Sequence, residues 1–208
     1  MNSKFGLNSG RSLARKKDQK GLTLVELSIA LAIGAVITII GVIFANDSLK
    51  ESRISSEAAR VNSIVMKART AFQNTAYSNL QPDSTVPAAR LGVFPKDMIN
   101  TPNQDPAQVN AANQITNRWG GAVVIGRDAT SRVLRVIYPN VPQDDCVEFV
   151  NRVESLFTQI HGDATDDPIA DAQIKNGDGA APVPFSVANL ATQGCENASN
   201  TLTFAFRK

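Results

Sequence analysis

Residues 27–45 carry no charge at all, and they follow a single carboxylate, Glu26, in the stretch Lys20-Gly21-Leu22-Thr23-Leu24-Val25-Glu26-Leu27. Leu, Ile, Ala, Val and Phe dominate this run, and Ser28 and Thr38 are its only hydroxyl side chains. About 20 apolar residues rising about 1.5 Å each are what a helix needs to cross a bilayer. An ionised side chain inside such a segment is expensive, so Glu26 calls for a partner. A secretory signal peptide would want a shorter apolar core and small residues at a cleavage site, which Ala45-Asn46-Asp47 does not provide. The segment is therefore expected to stay in the chain.

The helical pattern continues past Asp47, because the sequence turns polar yet has no Pro or Gly until Pro82. Ile54, Ala58, Val61, Val65, Ala68 and Phe72 recur at spacings of four and three, one narrow apolar stripe along a helix. Lys50, Glu51, Arg53, Glu57, Arg60, Lys67 and Arg69 are assigned to the opposite face. One helix over 22–77 would be roughly 80 Å long. Its first half, apolar all round, must pack among lipid or identical neighbours; its second half docks on its own body. A coiled coil would want more repeats and bulkier residues than Ala58 and Ala68.

Charge is segregated along the chain. Residues 1–21 hold Lys4, Arg11, Arg15, Lys16, Lys17 and Lys20 against Asp18, a net +5 out of a whole-chain +2, leaving −3 for the remainder. The basic head is a topology signal that stays cytoplasmic and sends the C-terminal body across the inner membrane. Cys146 and Cys195 then sit in an oxidising space and can pair. Such a bond closes a loop of about 50 residues, stabilising by roughly 4 kcal/mol in the chain-entropy picture.

Gly21-Leu22-Thr23-Leu24-Val25-Glu26 ahead of an apolar helix resembles the processing site of type IV pilins. The resemblance implies that a prepilin peptidase cuts between Gly21 and Leu22 and methylates the new amino terminus on Leu22, and that Glu26 serves assembly. A long leader, Leu22 in place of a phenylalanine, and a large mature chain resemble the type IVB branch: the toxin-coregulated, bundle-forming and plasmid thin-pilus pilins. The specific motif covers only the first quarter; the rest is similar in layout. The family implies a homopolymer of the chain, an inner-membrane assembly machinery as partner, and a fibre on the cell surface. Adhesion, aggregation or conjugative contact with a host or recipient cell surface is implied in the same way. Gly34 and Gly41 have two readings, close packing of membrane helices or local unwinding as the helix leaves lipid, since each weakens the helix by about 1 kcal/mol relative to Ala.

The expected organisation is a leader over 1–21, a membrane or filament-core half-helix over 22–46, an amphipathic half-helix over 47–78 and a globular head over 79–208. The head includes a disulfide-bounded region over 146–195. Pro82, Pro87, Pro95, Pro102 and Pro106 make 79–117 a connecting region, with a short helix near 106–115. Arg118-Trp119-Gly120-Gly121 reads as a turn into a buried strand over 122–126; a hairpin through 127–131 leads to a second strand over 132–138. Trp119 is expected to be a core or sheet-edge aromatic.

Asp144 or Asp145 is expected to cap a helix over 146–160, with Cys146, Phe149, Val150, Val153, Phe157 and Ile160 inward. An acidic stretch over 162–184 follows, then a strand over 183–190. A terminal strand over 201–206 turns Leu202, Phe204 and Phe206 inward. The fold class is α+β: a long N-terminal helix packed on an antiparallel sheet, the pilin fold.

Nothing in the chain points to catalysis, a cofactor or a metal. There is no C-x-x-C, and His161 is the only histidine. Asp163, Asp166 and Asp167 lack the ligand spacing of a calcium loop. Phosphate-loop and G-x-S-x-G motifs do not occur, and the body's scattered basic residues give no nucleic-acid surface. Two rival readings keep the same N-terminal features: a minor pilin or secretion pseudopilin, and an uncleaved, membrane-anchored periplasmic enzyme or sensor.

Overall fold

The computed structural model describes residues 23–74, 80–127, 133–162, 173–177 and 182–207. The chain divides into two compact units, Met1–Ala45 and Asn46–Lys208. Helix α1, Leu24–Ala71, supplies the described part of the first unit and opens the second. It stops short of the expected 77 because the apolar stripe runs out at Phe72, and Tyr77 lies outside the described residues.

Within the second unit, Ile54, Val61, Ile64, Val65, Ala68 and Phe72 are buried. So is Glu57, which the sequence reading had placed on the solvent face. The correction has a simple cause: Glu57 falls three residues after Ile54 and four before Val61, in phase with the stripe.

Five strands form one antiparallel sheet in the order β1-β2-β5-β3-β4. They are β1 Val124–Arg127, β2 Leu134–Pro142, β3 Gln159–Gly162, β4 Gln173–Asn176 and β5 Ser199–Phe206. Register places Ile125, Val136, Phe204 and Ile160 in one cross-strand row. With Leu134, Tyr138, Leu202 and Phe206 they form the buried face that packs in one core with α1 and with α3, Gln143–Val153. Aromatic rings join this core: Phe204 lies 4.8 Å from Phe157 and 6.0 Å from Phe149, edge-on to the latter. Such pairs add about 0.5–1.5 kcal/mol each beyond simple burial. An extra residue in β2 between Tyr138 and Val141 makes a bulge, with Asn140 at φ +62°.

Both outer strands are covered by their own chain. Along β1, Ser84 N–H donates to the Ile125 carbonyl (2.8 Å) and Arg127 N–H to the Gln81 carbonyl (3.1 Å). The approach is so close that a Cβ on Gly126 would collide with the Pro82 carbonyl. On β4, Asn176 and Val183 exchange backbone hydrogen bonds of 2.9 and 2.8 Å.

Several elements depart from the sequence reading. The connecting region contains a helix that was not foreseen, α2 Thr85–Arg90, with Pro87 in its first turn, where a missing N–H costs little. The helix expected near 106–115 is two separate 3₁₀ turns, Pro106–Gln108 and Ala112–Gln114. Helix α3 ends at Val153, and Ile160 belongs to β3, where pairing with Phe204 draws it into the sheet. Neither Asp144 nor Asp145 caps α3: Pro142 occupies the N-cap, and Asp145 is buried in the first turn.

The strand expected over 183–190 is instead one bridge at Val183 and a helix, α4 Val187–Gln193, capped by the Ser186 hydroxyl. Strands β3 and β4 were not foreseen. The hairpin residues 128–132 and the acidic residues Asp163, Asp166, Asp167, Asp171 and Asp178 lie outside the described residues.

Candidate functional site

The start of α1 carries the chemistry singled out in the sequence. Thr23 is its N-cap: its N–H and its hydroxyl both donate to Glu26 Oε2 at 3.0 Å, and the Glu26 N–H donates to Thr23 Oγ1 at 3.3 Å. This is a reciprocal capping box, which satisfies helix-end donors that would otherwise face hydrocarbon bare. Thr23 was missed in the sequence reading, although T-x-x-E before an apolar run is its signal. Gly21 and Leu22 lie outside the described residues.

From Leu24 to Phe44 the apolar side chains are exposed, Leu24 to 85% and Phe44 to 73%. Mean hydropathy reaches 2.7 over the most apolar window, and α1 is long and apolar enough to cross a membrane. Ser28 and Thr38 hide their hydroxyl hydrogens on the Val25 and Gly34 carbonyls, both at 2.8 Å. Gly34 and Gly41 both lie within continuous α-helix, and nothing stands within 4 Å of where a Cβ would project from either. A face this apolar and this bare is a surface for lipid or for another helix.

In the body, Cys146 on α3 is disulfide-bonded to Cys195 just beyond α4, with Cα atoms 5.7 Å apart. Replacing Cys146 by Ser is expected to lower the unfolding free energy by about 2–4 kcal/mol. A urea midpoint that stays put, in the variant and in wild type under reductant alike, would show that the bond contributes nothing. Among the described residues, no His, Cys, Asp and Glu cluster could hold a metal ion.

Two buried acids escaped the sequence reading. Asp145 accepts the Trp119 indole N–H at 2.9 Å, and Trp119 sits edge-on to Phe149 at 5.2 Å. Glu57 is fully buried; Tyr138 donates its O–H to Glu57 Oε1 at 3.0 Å and Arg60 donates to Oε2 at 2.8 Å. Arg60 also reaches Asp97 at 2.5 Å. Burial pushes the Glu57 carboxyl above the ordinary range despite the Arg60 charge and these hydrogen bonds. Burial and the neighbouring Glu57 raise the Tyr138 phenol well above its usual value.

Comparison with known proteins matches this arrangement. Residues 16–42 match the prokaryotic N-terminal methylation motif. Residues 51–206 match the family described as PilS N terminal. No curated protein matches the chain. Among solved structures, the fold is similar to that of TcpA, a type IV pilin from Vibrio cholerae El Tor biotype. The TM-score is 0.52 at 14% identity, covering 75% of this chain and 99% of that one. The apolar helix, the antiparallel sheet of the body, the methylation motif and the PilS match agree: the chain belongs to the PilS family and has the fold of a type IV pilin.

Proposed function

We propose that this chain is the precursor of a major pilin of a type IVB pilus. It inserts with residues 1–21 on the cytoplasmic side and the body in the periplasm. A prepilin peptidase cuts between Gly21 and Leu22 and methylates Leu22, and inner-membrane machinery then stacks the chain into a homopolymeric surface fibre. The observation that carries this reading is the fully exposed apolar segment with one charge, Glu26, at its start. In the fibre, Glu26 of one copy meets the ammonium on Leu22 of its neighbour, each offsetting the desolvation of the other.

Gly34 and Gly41 give the segment room to unwind as it passes from lipid to fibre core. Adhesion, aggregation or conjugative contact is the service rendered, with specificity on the body surface around 162–184. The PilS match and the methylation motif support this reading over an anchored enzyme.

Intact-mass analysis of pilin sheared from cells tests the processing step. The expected mass is that of a chain beginning at a singly methylated Leu22, with Cys146 and Cys195 oxidised. A mass that still includes Met1 would end the pilin reading. Deleting the gene and finding fibres unchanged in number would assign the chain to a minor role.

A further inference from the structure

The buried stripe of α1 repeats in sevens. Ile54, Val61 and Ala68 form one row, Glu57 and Ile64 a second, and Val65 and Phe72 a third. A helix with such a repeat can slide by seven residues and still set apolar side chains against the sheet. In that slip Val61, Ile64, Ala68, Ala71 and Phe72 take the places of Ile54, Glu57, Val61, Ile64 and Val65, all of them apolar, and polar residues, Thr75 and Asn79, fall only at the last two places of the stripe, those of Ala68 and Phe72.

Glu57 is the one charged residue in the buried stripe of α1. Its site is matched to it: the Tyr138 O–H from β2 and Arg60 from α1 itself converge on the carboxylate. Arg60 links it onward to Asp97 in the connecting region. After a seven-residue slip the Tyr138 O–H would face Ile64, buried and without a partner. The opposite slip drives Glu57 into the apolar place of Ile64 and Asp47 into that of Ile54.

We infer that Glu57 is a positioning residue that locks the register of α1 on the sheet. A single buried polar residue in an apolar heptad seam does this elsewhere, choosing one alignment at a cost in stability. A slip of seven residues displaces the body along α1 by about 10 Å. Identical spacing of body and Glu26 in every copy is what a regular fibre requires; that consequence rests on the function proposed above, whereas the lock itself does not.

The test uses the full chain in detergent, so it is independent of fibre formation. Spin labels on Ser55→Cys and Asn151→Cys, both exposed positions, report the distance between α1 and α3. The native background should give one distance, and so should Glu57→Gln, whose amide oxygen still accepts from Tyr138. Glu57→Leu with Tyr138→Phe should fold with an unfolding midpoint no lower than wild type, yet show a second distance from a slipped helix. A single, wild-type distance in that pair would overturn the inference.

Should the pair not fold, Glu57→Ile with Ile64→Glu moves the carboxylate one repeat along and should displace the distance. A wild-type distance there also overturns the inference. So does unfolding of both, since the carboxylate would then be required for folding and not for choosing the register.

Discussion

Replacing Glu26 by Ala or Val is expected to leave cells without fibres while the urea midpoint of the body stays where it was. The body's core begins at Ile54, and the hydrogen bonds of this carboxylate among the described residues go to Thr23. A fibre built as proposed above would lose an ion pair at every added copy, and an uncompensated ammonium in an apolar core would lower the equilibrium for each addition by roughly a hundredfold. Glu26→Gln separates the two jobs of the side chain. Glutamine serves a capping box about as well as glutamate, so the Thr23 hydrogen bonds survive and only the charge is gone. Fibre counts by electron microscopy should fall with Gln almost as far as with Ala. Normal fibres from Glu26→Gln would reduce this residue to a helix cap.

Glu57→Ala is expected to destabilise the body by about 3–5 kcal/mol, because it leaves the Tyr138 hydroxyl unpaired against a cavity in the core and takes from Arg60 the buried one of its two carboxylates. Glu57→Gln should cost far less, and its difference from wild type should depend on pH in one direction. The Glu57 carboxyl titrates higher in the folded chain than in the unfolded one. The stability this shift supplies is complete below the ordinary carboxylate pKa and is lost as pH rises through the folded value. Urea midpoints of the two proteins should therefore move in favour of Gln on going from pH 4 to pH 7. A flat difference, or one running the other way, would show that Arg60 and the hydrogen bonds outweigh burial.

Legibility in the sequence followed the range of the forces involved. The apolar run and the stripe on α1 are local patterns, and α1 could be read from them nearly end to end; the Thr23–Glu26 capping pair is equally local but was missed. Strand β5 showed a clean alternation at Leu202, Phe204 and Phe206 for the same reason. Glu57 was misread because its justification, Tyr138, lies 81 residues away. The stripe itself marked the position as buried, but a charge there was assumed to face water. Asp145 was misread in the same manner, its partner Trp119 being 26 residues back.

Strands β3 and β4 have four residues each, too few for alternation to show; β3 exists because β5 offers an edge to pair with, and β4 because β3 offers the next one. The segment from Val183 carries β-branched and aromatic residues that look extended, yet Ser186 starts a helix there. Ahead of the apolar segment the sequence showed Glu26 as a lone charge, and the geometry of Thr23 and Glu26 came from the structure.

The covered rims of the sheet bear on what a fibre of such bodies avoids. Packing many copies side by side brings exposed strands together at very high local concentration, the condition under which edge-to-edge joining into amyloid begins. Here the backbone groups at Ile125, Arg127 and Asn176 are already taken by residues of the same chain. Neighbouring bodies can thus crowd together without fusing their sheets along these edges.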